Sequence, residues 1–274
     1  MLELHCHTTY SDGTYTPREL VYAAYESGVR ALAITDHDTM AGWDEAMEAA
    51  RGLGIEIVPG LELSTTHNNC SLHVLAFYPD REKLSAFLAE RRLGRIRRAE
   101  TMVHKLEDLG LHIEFPNVET PGRPHIARAL VRAGYLTREQ EAYDRYLGDG
   151  KPAYVPYDRL SAVDGIAMLR SCGAVPVWAH PYLFQGGPVA EVLPELVAAG
   201  LMGLEVYHSD ASPRSSGRLK ALAEQYGLIC TGGSDFHGTN KDHVYLNMLK
   251  LPLSLLDDLK AAHKKAQREL SLSV

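Results

Sequence analysis

Short apolar runs alternate with amphipathic stretches along the first eighty residues of the chain. Four of the apolar runs predict β-strands: LEL (2 to 4), ALAIT (31 to 35), IEIVPG (55 to 60) and HVLAFY (73 to 78). The amphipathic stretches predict helices near residues 17 to 27 and 43 to 52, and Thr16 and Pro17 open the first helix while Gly28 ends it. This alternation is typical of a mostly parallel sheet covered by helices.

The same alternation returns in the last third of the chain. Three further apolar runs predict strands: AVPVWA (174 to 179), GLEVY (203 to 207) and LICTGG (228 to 233). Helices are predicted between them, near residues 189 to 199 and 213 to 226. The sequence therefore predicts seven strands and an α/β fold class.

The stretch from residue 81 to 157 has a different pattern and no convincing strand. Six apolar residues at helical spacing predict one long helix: Leu84, Leu88, Ile96, Ala99, Val103 and Leu106. Two shorter helices are predicted near residues 124 to 133 and 138 to 147. We interpret residues 81 to 157 as a helical insertion, a substrate cap over a body formed by residues 1 to 80 and 158 to 274. Glycine and proline residues flank this insertion, so a second independent domain is the alternative.

The composition of the 274 residues is that of a folded globular protein, with 45% hydrophobic and 23% charged residues. Such a composition excludes a disordered or collagen-like chain. The net charge of −7 excludes a broadly basic platform for nucleic acid. A polyanionic substrate would therefore need positive charge concentrated at its binding site.

The cysteine residues and the N-terminus indicate the cellular compartment. Cys6, Cys70, Cys172 and Cys230 lie far apart in the sequence and form no CxxC pair, so we expect free thiols. The N-terminal MLELHCH resembles neither a signal peptide nor a transit peptide, and no apolar run is long enough to span a membrane. We therefore expect a cytoplasmic protein with no membrane partner and no obligate protein partner.

Histidine and carboxylate residues follow the predicted strands. His5 and His7 lie two positions apart at the first strand, so their imidazoles share a face. Further candidates stand after the ends of other strands: Asp12, His37, Glu62, His180, His208, Asp235 and His237. His73 begins a strand rather than ending one. Because the carboxyl ends of strands in βα units meet at one face, the sequence predicts a metal site there.

The ligand types indicate the chemistry of this site. Imidazoles and carboxylates without a thiolate disfavour a structural zinc site and suit Mn, Fe, Zn or Mg in catalysis. The candidates exceed what one ion can use, so we expect two or three ions, with Glu62 or Asp235 bridging them. Such a cluster generates hydroxide near neutral pH and holds the attacking and leaving oxygens of a phosphoryl group.

Six motifs occur in a fixed order: HCHTTYSDG, ITDHD, GLELS, LHVLAF, AHP and GSDFH. As an ordered set that spans residues 5 to 237, they resemble the polymerase and histidinol phosphatase (PHP) family of metal-dependent phosphoesterases. The resemblance implies a distorted (β/α)7 barrel of PHP type with up to three metal ions. Together with the insertion, this is the fold that we expect.

The resemblance also implies how the ligands divide among the ions. The implied sets are His5, His7, Glu62 and Asp235 for the first ion, Glu62, His73 and His180 for the second, and Asp12, His37 and His237 for the third. Many family members have histidine at the position of Asp12, and a carboxylate there favours a harder ion. We therefore expect Mn first, with Fe, Zn or Mg as alternatives.

The insertion contains the motifs GRPHIARALVRAGY and YLGDGKPAYVPY. They resemble a PHP subgroup that includes 3',5'-nucleoside bisphosphatases and a 5'-to-3' exonuclease acting on short RNA. Four residues of the insertion are candidates for binding a second phosphate of the substrate: Arg123, His125, Arg128 and Lys151. The basic run over residues 91 to 98 is interpreted instead as a solvated helix face with acidic neighbours.

These features together predict a metal-dependent phosphoesterase. We expect it to hydrolyse the 3'-phosphate of a nucleoside 3',5'-bisphosphate by attack of a metal-bridging hydroxide on phosphorus. His208 is the candidate catalytic residue that protonates the leaving group or touches the substrate. The alternatives are a 5'-to-3' exonuclease on short oligonucleotides, a histidinol-phosphate-type phosphatase and a metal-binding accessory module without catalysis.

Overall fold

The computed structural model describes residues 1–156, 160–241 and 243–272. Within them, seven strands lie side by side in chain order: β1 (Leu2–Glu3), β2 (Ala31–Ile34), β3 (Glu56–His67), β4 (Cys70–Phe77), β5 (Val175–Trp178), β6 (Gly203–His208) and β7 (Ile229–Gly233). Strands β1 to β3 are parallel, and so are β5 to β7, whereas β4 is antiparallel to both of its neighbours. The seven predicted strands are confirmed.

Backbone contacts join the first strand of the sheet to the last. The N–H of Leu4 donates to the carbonyl of Gly232 over 3.2 Å, and the N–H of His7 donates to the carbonyl of Phe236 over 2.9 Å. Cys6 and Phe236 also pair as an isolated bridge. The sheet is therefore a nearly closed barrel, which confirms the predicted barrel fold.

The helices of the described residues surround the barrel or form the insertion. They are α1 (Pro17–Glu26), α2 (Trp43–Ala49), α3 (Arg81–Asp108), α4 (Arg123–Arg132), α5 (Glu139–Ala142, continued by a π-helical turn Tyr143–Leu147), α6 (Ala162–Ser171), α7 (Val189–Ala198), α8 (Pro213–Tyr226) and α9 (Ser254–Leu272). All the predicted helices are confirmed. The sequence analysis missed α6 and α9, because α6 lies at the edge of the insertion and α9 lies beyond the last predicted strand. No described helix has the length and apolar character needed to cross a bilayer.

Strands β3 and β4 form a hairpin that is longer than the apolar pattern predicts. β3 continues through the polar residues Ser64, Thr65 and Thr66, which the sequence analysis assigned to no strand. Asn68 and Asn69 form the turn with φ angles of 49° and 61°, a conformation that asparagine tolerates better than most residues. Two polar strand ends therefore extend beyond the barrel on the side of the insertion.

The barrel interior is apolar at one end and polar at the other. Val58 of β3, Phe77 of β4 and Val177 of β5 pack with Leu255 and Leu259 of α9, which covers the apolar end. Side chains two positions apart on a strand share a face. Further along the inward faces of β3 and β4, polar side chains therefore replace the apolar ones.

A second apolar cluster lies between the outer face of the sheet and helices α1, α2, α6, α7 and α8. The insertion has a cluster of its own, in which Met102 and Leu106 of α3 pack against Ile126 and Leu130 of α4. The separate cluster fits the predicted insertion. The boundary predicted between residues 157 and 158 lies outside the described residues.

Helix α3 is fixed to the barrel by a buried ion pair. Arg95 is 7% exposed, and its Nε donates to Oδ2 of Asp38 over 2.7 Å. A second guanidinium nitrogen donates to Oγ of Ser64 over 2.6 Å. The prediction of a solvated face on this helix is therefore wrong for Arg95, although it holds for Arg97, which is 62% exposed beside Glu90. A helical pattern of charges alone did not distinguish these two arginines.

Replacing Arg95 with leucine would leave the carboxylate of Asp38 buried without its closest cation. We expect R95L to lower the free energy of unfolding by about 3 kcal/mol, measured by urea denaturation. The control is R97L on the same helix, whose exposed ion pair should contribute less than about 1 kcal/mol. Equal effects of the two substitutions would show that burial of the Arg95 pair has no energetic consequence.

Candidate metal centre

The polar end of the barrel collects the side chains predicted at the strand ends. His37 follows β2, His180 follows β5, and His208 ends β6. His73 stands near the beginning of β4, and it reaches the same end because β4 runs antiparallel to its neighbours. It lies on the inward face with Leu75 and Phe77. The apparent exception in the sequence therefore follows from the direction of one strand.

The carboxylate of Glu62 lies at the centre of this group. Its side chain is 1% exposed, and it alternates along β3 with apolar residues of the outer cluster. Five imidazole nitrogens lie within 3.3 Å of its two oxygens: Nε2 of His5 (3.3 Å), Nε2 of His7 (3.2 Å) and Nδ1 of His37 (3.2 Å) at Oε2, and Nδ1 of His73 (2.8 Å) and Nε2 of His180 (2.9 Å) at Oε1. One buried carboxylate therefore joins two groups of imidazoles, as a bridging metal ligand would.

Asp235 completes the group around Oε2 of Glu62. Its Oδ1 lies 3.4 Å from Nε2 of His5 and 3.2 Å from Nε2 of His7. Ligand atoms around an ion with bonds of about 2.1 Å are about 3 to 4 Å apart in tetrahedral or octahedral sites. These four side chains, which were predicted to hold the first ion, thus have the spacing of a metal site.

The other two predicted groups differ in how closely they are assembled. In the predicted second group, His73 and His180 both contact Oε1 of Glu62, although the described ligand atoms that lie close enough to share an ion here are those of His5, Glu62 and His180. In the predicted third group, Asp12 lies 3.2 Å from Nε2 of His237 but 3.9 Å from Nε2 of His37. The Nδ1 of His37 faces Glu62 instead. The third group is therefore the loosest of the three.

Several atoms of these side chains have no hydrogen-bond partner although they are buried. They are Nε2 of His5, Nε2 of His7, Oδ1 of Asp12 and Nδ1 of His37. Buried polar atoms are nearly always paired, so such a concentration needs an explanation. Divalent cations would satisfy all of these atoms at once. The donor set of imidazoles and carboxylates therefore fits metal ions, as was expected from the sequence.

Hydrogen bonds from neighbouring residues orient the candidate ligands. Oε1 of Glu205 accepts from Nδ1 of His5 over 2.9 Å, which leaves Nε2 of that ring free to bind a cation. The hydroxyl of Ser71 contacts Nε2 of His73 over 3.0 Å, so its Nδ1 faces Glu62. The sequence analysis missed Glu205. An acid inside the apolar run GLEVY was the signal that would have identified it.

Asp36 fixes the loop that follows β1. Its carboxylate accepts from the backbone N–H of Thr8 over 2.7 Å, from the hydroxyl of Thr8 over 2.6 Å and from the hydroxyl of Ser11 over 2.5 Å. The side chain is 1% exposed. Asp36 therefore supports the loop of Asp12 from the barrel side, a role that the sequence motif ITDHD did not distinguish from metal binding.

The buried charges of the centre perturb one another strongly. Although burial disfavours the charged form, the neighbouring carboxylates of Asp235, Glu62 and Asp12 raise the pKa of His7 to about 10. For His37, burial prevails and lowers the pKa to about 3. Burial also opposes ionisation of Asp12, but the imidazoles of His237 and His37 hold the pKa of its carboxyl well below its usual range. Without metal, protons therefore occupy part of the site.

His208 lies next to Asp235, and its Nε2 is 3.6 Å from Oδ2 of that carboxylate. The backbone N–H of Asp210 donates to Nδ1 of His208 over 3.1 Å, and the hydroxyl of Tyr182 contacts the same nitrogen over 2.6 Å. Because Nδ1 is an acceptor, the proton of a neutral His208 is on Nε2. Lys241, which the sequence analysis missed, contacts Oδ2 of Asp235 over 2.6 Å. Two N–H donors therefore line this side of the centre.

A cavity of about 230 Å³ connects the candidate metal centre to the insertion. His37 and His73 line one part of it, and Arg123 and Tyr143 line another. Arg123 is 30% exposed and its guanidinium lies 5.9 Å from the ring centre of Tyr154. Arg123 is therefore the predicted substrate residue that the structure places best for an anionic ligand.

The other three predicted substrate residues are placed differently. His125 is 7% exposed, and both of its ring nitrogens are engaged within the protein. Arg128 contacts the carbonyl of Asp12 over 3.4 Å. Lys151 is exposed and does not line the cavity among the described residues. Substrate contacts by these three side chains stay predictions, and the geometry favours Arg123 over them.

Comparison with known proteins also indicates a metal-dependent phosphoesterase. The family model described as the PHP domain matches residues 3–146. A protein named 5'-3' exoribonuclease from Haemophilus influenzae is 34% identical, covering 86% of this chain and 89% of that protein. A protein named 3',5'-nucleoside bisphosphate phosphatase from Chromobacterium violaceum is 33% identical, covering 86% and 87%. The crystal structure of a protein described as a metal-dependent phosphoesterase from Bifidobacterium adolescentis has a TM-score of 0.85 at 35% identity, covering 95% of this chain and 96% of that chain.

Removal of metal should abolish activity, and so should loss of the central carboxylate. We expect chelator-treated protein to be inactive on phosphate esters and to regain activity with added Mn. The substitution E62A should reduce kcat/KM at least about a thousandfold, because a bridging ligand is lost from both groups around it. Elemental analysis should find two or three metal equivalents in the wild type. Full activity of metal-free protein would contradict a metal centre.

Metal binding should release protons near neutral pH. With a pKa of about 10 in the metal-free protein, His7 is protonated at pH 7 and must lose its proton to coordinate a cation. Apparent metal affinity should therefore increase as the pH rises toward 10. His37, with a pKa of about 3, adds no such dependence in this range. The carboxylates of Glu205, Asp235 and Glu62 also raise the pKa of His5 well above its ordinary value, although burial opposes this, so His5 adds a second proton. Calorimetric titration with Mn in buffers of different ionisation enthalpy should therefore show about two protons released per chain, and binding without proton release would contradict these pKa assignments.

Proposed function

Because the chain belongs to the PHP domain family of metal-dependent phosphoesterases, we propose that it removes the 3'-phosphate from a nucleoside 3',5'-bisphosphate. It is a hydrolase that acts on phosphate esters, so the alternative of an accessory module without catalysis is set aside. The Chromobacterium violaceum relative, named as a 3',5'-nucleoside bisphosphate phosphatase, supports this choice of substrate.

The observation that carries the proposal is the cavity between the metal centre and Arg123. Its lining combines candidate metal ligands, a guanidinium and the ring of Tyr143 in one continuous space. A guanidinium binds phosphate oxygens in pairs, and an aromatic ring is a surface on which a nucleobase stacks. We assign the 3'-phosphate to the metal centre and the 5'-phosphate to Arg123, with Tyr143 and Tyr154 beside the nucleoside.

The nine predicted ligands would hold two or three divalent ions. They are His5, His7, Asp12, His37, Glu62, His73, His180, Asp235 and His237. When bound, the ions neutralise charge on the phosphoryl oxygens and acidify water to provide the nucleophile. Manganese fits a set of imidazoles and carboxylates in which Asp12 adds a hard oxygen donor. Manganese as the bound ion, a small nucleotide as the substrate and a cytoplasmic location stay predictions.

We assign His208 to a substrate contact rather than to proton transfer. Its Nδ1 accepts from the N–H of Asp210, so Nε2 carries the proton of a neutral ring, and a neutral imidazole is a weak acid. A relay through Tyr182 would need a buried phenolate, and burial and nearby acids hold the pKa of that phenol above its ordinary value. Nε2 of His208 is buried without a hydrogen-bond partner, and we assign its N–H to a hydrogen bond with a phosphoryl oxygen, with Lys241 beside it.

A 5'-to-3' exonuclease on short RNA is the second candidate. The hairpin of β3 and β4 lines the cavity beside the metal centre with Thr66, Asn69 and Ser71. These hydroxyl and amide groups offer hydrogen bonds to a nucleotide on the far side of the scissile phosphate. The Haemophilus influenzae relative, named as a 5'-3' exoribonuclease, supports this reading. Phosphate release from a bisphosphate and cleavage of a 5'-phosphorylated dinucleotide, compared with Mn present, distinguish the two candidates.

Arg123 should matter only for a substrate with a second phosphate. We expect R123A to reduce kcat/KM on a nucleoside 3',5'-bisphosphate roughly ten- to a hundredfold, because a charge-assisted hydrogen bond contributes about 1.5 to 3 kcal/mol. Activity on an aryl phosphate, which has no second phosphate, should change little. The matched control is R132A on the same helix, where the arginine is exposed.

Equal losses of R123A on both substrates would show that Arg123 supports the metal centre instead. No loss on either substrate would remove Arg123 from the binding site. A histidinol-phosphate-type activity would then be tested with histidinol phosphate in the same assay.

A further inference from the structure

We propose that the insertion completes the metal centre, and that His125 is the positioning residue through which it does so. The insertion would then serve the binding of metal as well as the binding of substrate. The inference rests on the metal centre of the proposed function, but not on which phosphate ester is the substrate. It concerns the loop Tyr10–Ser11–Asp12, which carries one ligand of the third group.

Three consecutive carbonyls of this loop accept hydrogen bonds from the insertion. The hydroxyl of Thr120 donates to the carbonyl of Tyr10 over 2.9 Å. Nε2 of His125 lies 2.8 Å from the carbonyl of Ser11. A guanidinium nitrogen of Arg128 donates to the carbonyl of Asp12 over a longer 3.4 Å. Contacts to three successive carbonyls fix the path of a backbone, and here all three donors come from outside the barrel.

The geometry of His125 determines which of its nitrogens donates. The backbone N–H of Gly122 donates to Nδ1 of His125 over 3.1 Å, so Nδ1 carries no proton. The proton is therefore on Nε2, which can only donate to the carbonyl of Ser11. Burial lowers the pKa of His125 to about 4, so the ring stays neutral at neutral pH. Both ring nitrogens are used within the protein, as expected for a residue that positions others.

The third group is the one most sensitive to a shift of this loop. Oδ1 of Asp12 is buried without a hydrogen-bond partner and lies 3.2 Å from Nε2 of His237. The distance from Asp12 to His37 is already 3.9 Å. Asn240 also holds the carbonyl of Asp12 over 2.7 Å, and Asp36 holds the side chain of Ser11. Loss of the contact from His125 should shift the loop and displace Asp12. The remaining contacts from Asn240 and Asp36 should keep this shift small, so that the first two groups stay intact.

Residues that orient metal ligands commonly change metal affinity ten- to a hundredfold when they are replaced. We expect H125A to weaken the binding of one Mn equivalent by about that factor, while the tighter equivalents bind as in the wild type. H125Q should recover most of the loss, because its amide N–H lies where Nε2–H lies and can donate to the carbonyl of Ser11. The readout is Mn bound per chain at graded free Mn, measured by equilibrium dialysis and elemental analysis.

Two further variants calibrate the measurement. D12A removes the ligand itself and should lose the same Mn equivalent as H125A. R132A, on the same helix as His125 but at an exposed position, should bind Mn as the wild type does. If H125A fails to fold, T120V replaces it, because this substitution removes the donor to the carbonyl of Tyr10 while keeping the shape of the side chain.

Unchanged Mn binding in H125A or in T120V would overturn the proposal. So would an equal loss of all equivalents, which would indicate general damage, and so would a wild type that binds only two equivalents. Because the readout needs no substrate, an enzyme that fails on bisphosphates leaves this test intact. Conversely, R123A can confirm the substrate assignment even where H125A shows no effect.

Discussion

Five imidazole rings converge on the buried carboxylate of Glu62, and the rest of the polar end of the barrel is arranged around this contact. Burying a carboxylate is costly unless cations or hydrogen bonds surround it. The imidazoles of His37, His73 and His5 hold the pKa of Glu62 well below its usual range, although burial opposes this. The negative charge of Glu62 is therefore balanced only when the rings are protonated or when metal ions replace the protons. The nearly closed barrel is what brings rings from separate strands to one carboxylate.

Much of this arrangement could be predicted from the sequence because strand ends and ligand residues coincide. The direction of β4 could not be predicted, and for that reason His73 appeared out of place until its antiparallel pairing with β3 was known. Glu205 was missed because the sequence analysis looked for ligands at the strand ends and not at the acid inside the apolar run GLEVY. Arg95 was misassigned because its partner Asp38 is distant along the chain, and only the fold brings the two together. Contacts between distant segments were thus what the sequence did not determine.

The insertion contacts both the cavity and the loop that carries Asp12. Its own apolar cluster stabilises α3 and α4, while Arg95 fixes α3 to the loop after β2. From this fixed position, α4 presents Arg123 to the cavity and His125 to the loop after β1. Helix α4 therefore carries both Arg123, which lines the cavity, and His125, which contacts the loop of Asp12.

Anomalous diffraction at the manganese edge, from crystals of Mn-loaded protein, tests the role of Glu62 most directly. The structure predicts two or three anomalous peaks at the polar end of the barrel, at least two of them within about 2.5 Å of a Glu62 oxygen. His5, His7 and Asp235 should surround one peak, and His73 and His180 another. Saturating Mn with no peak at Glu62, or with peaks only elsewhere on the protein, would contradict a metal centre built on this carboxylate.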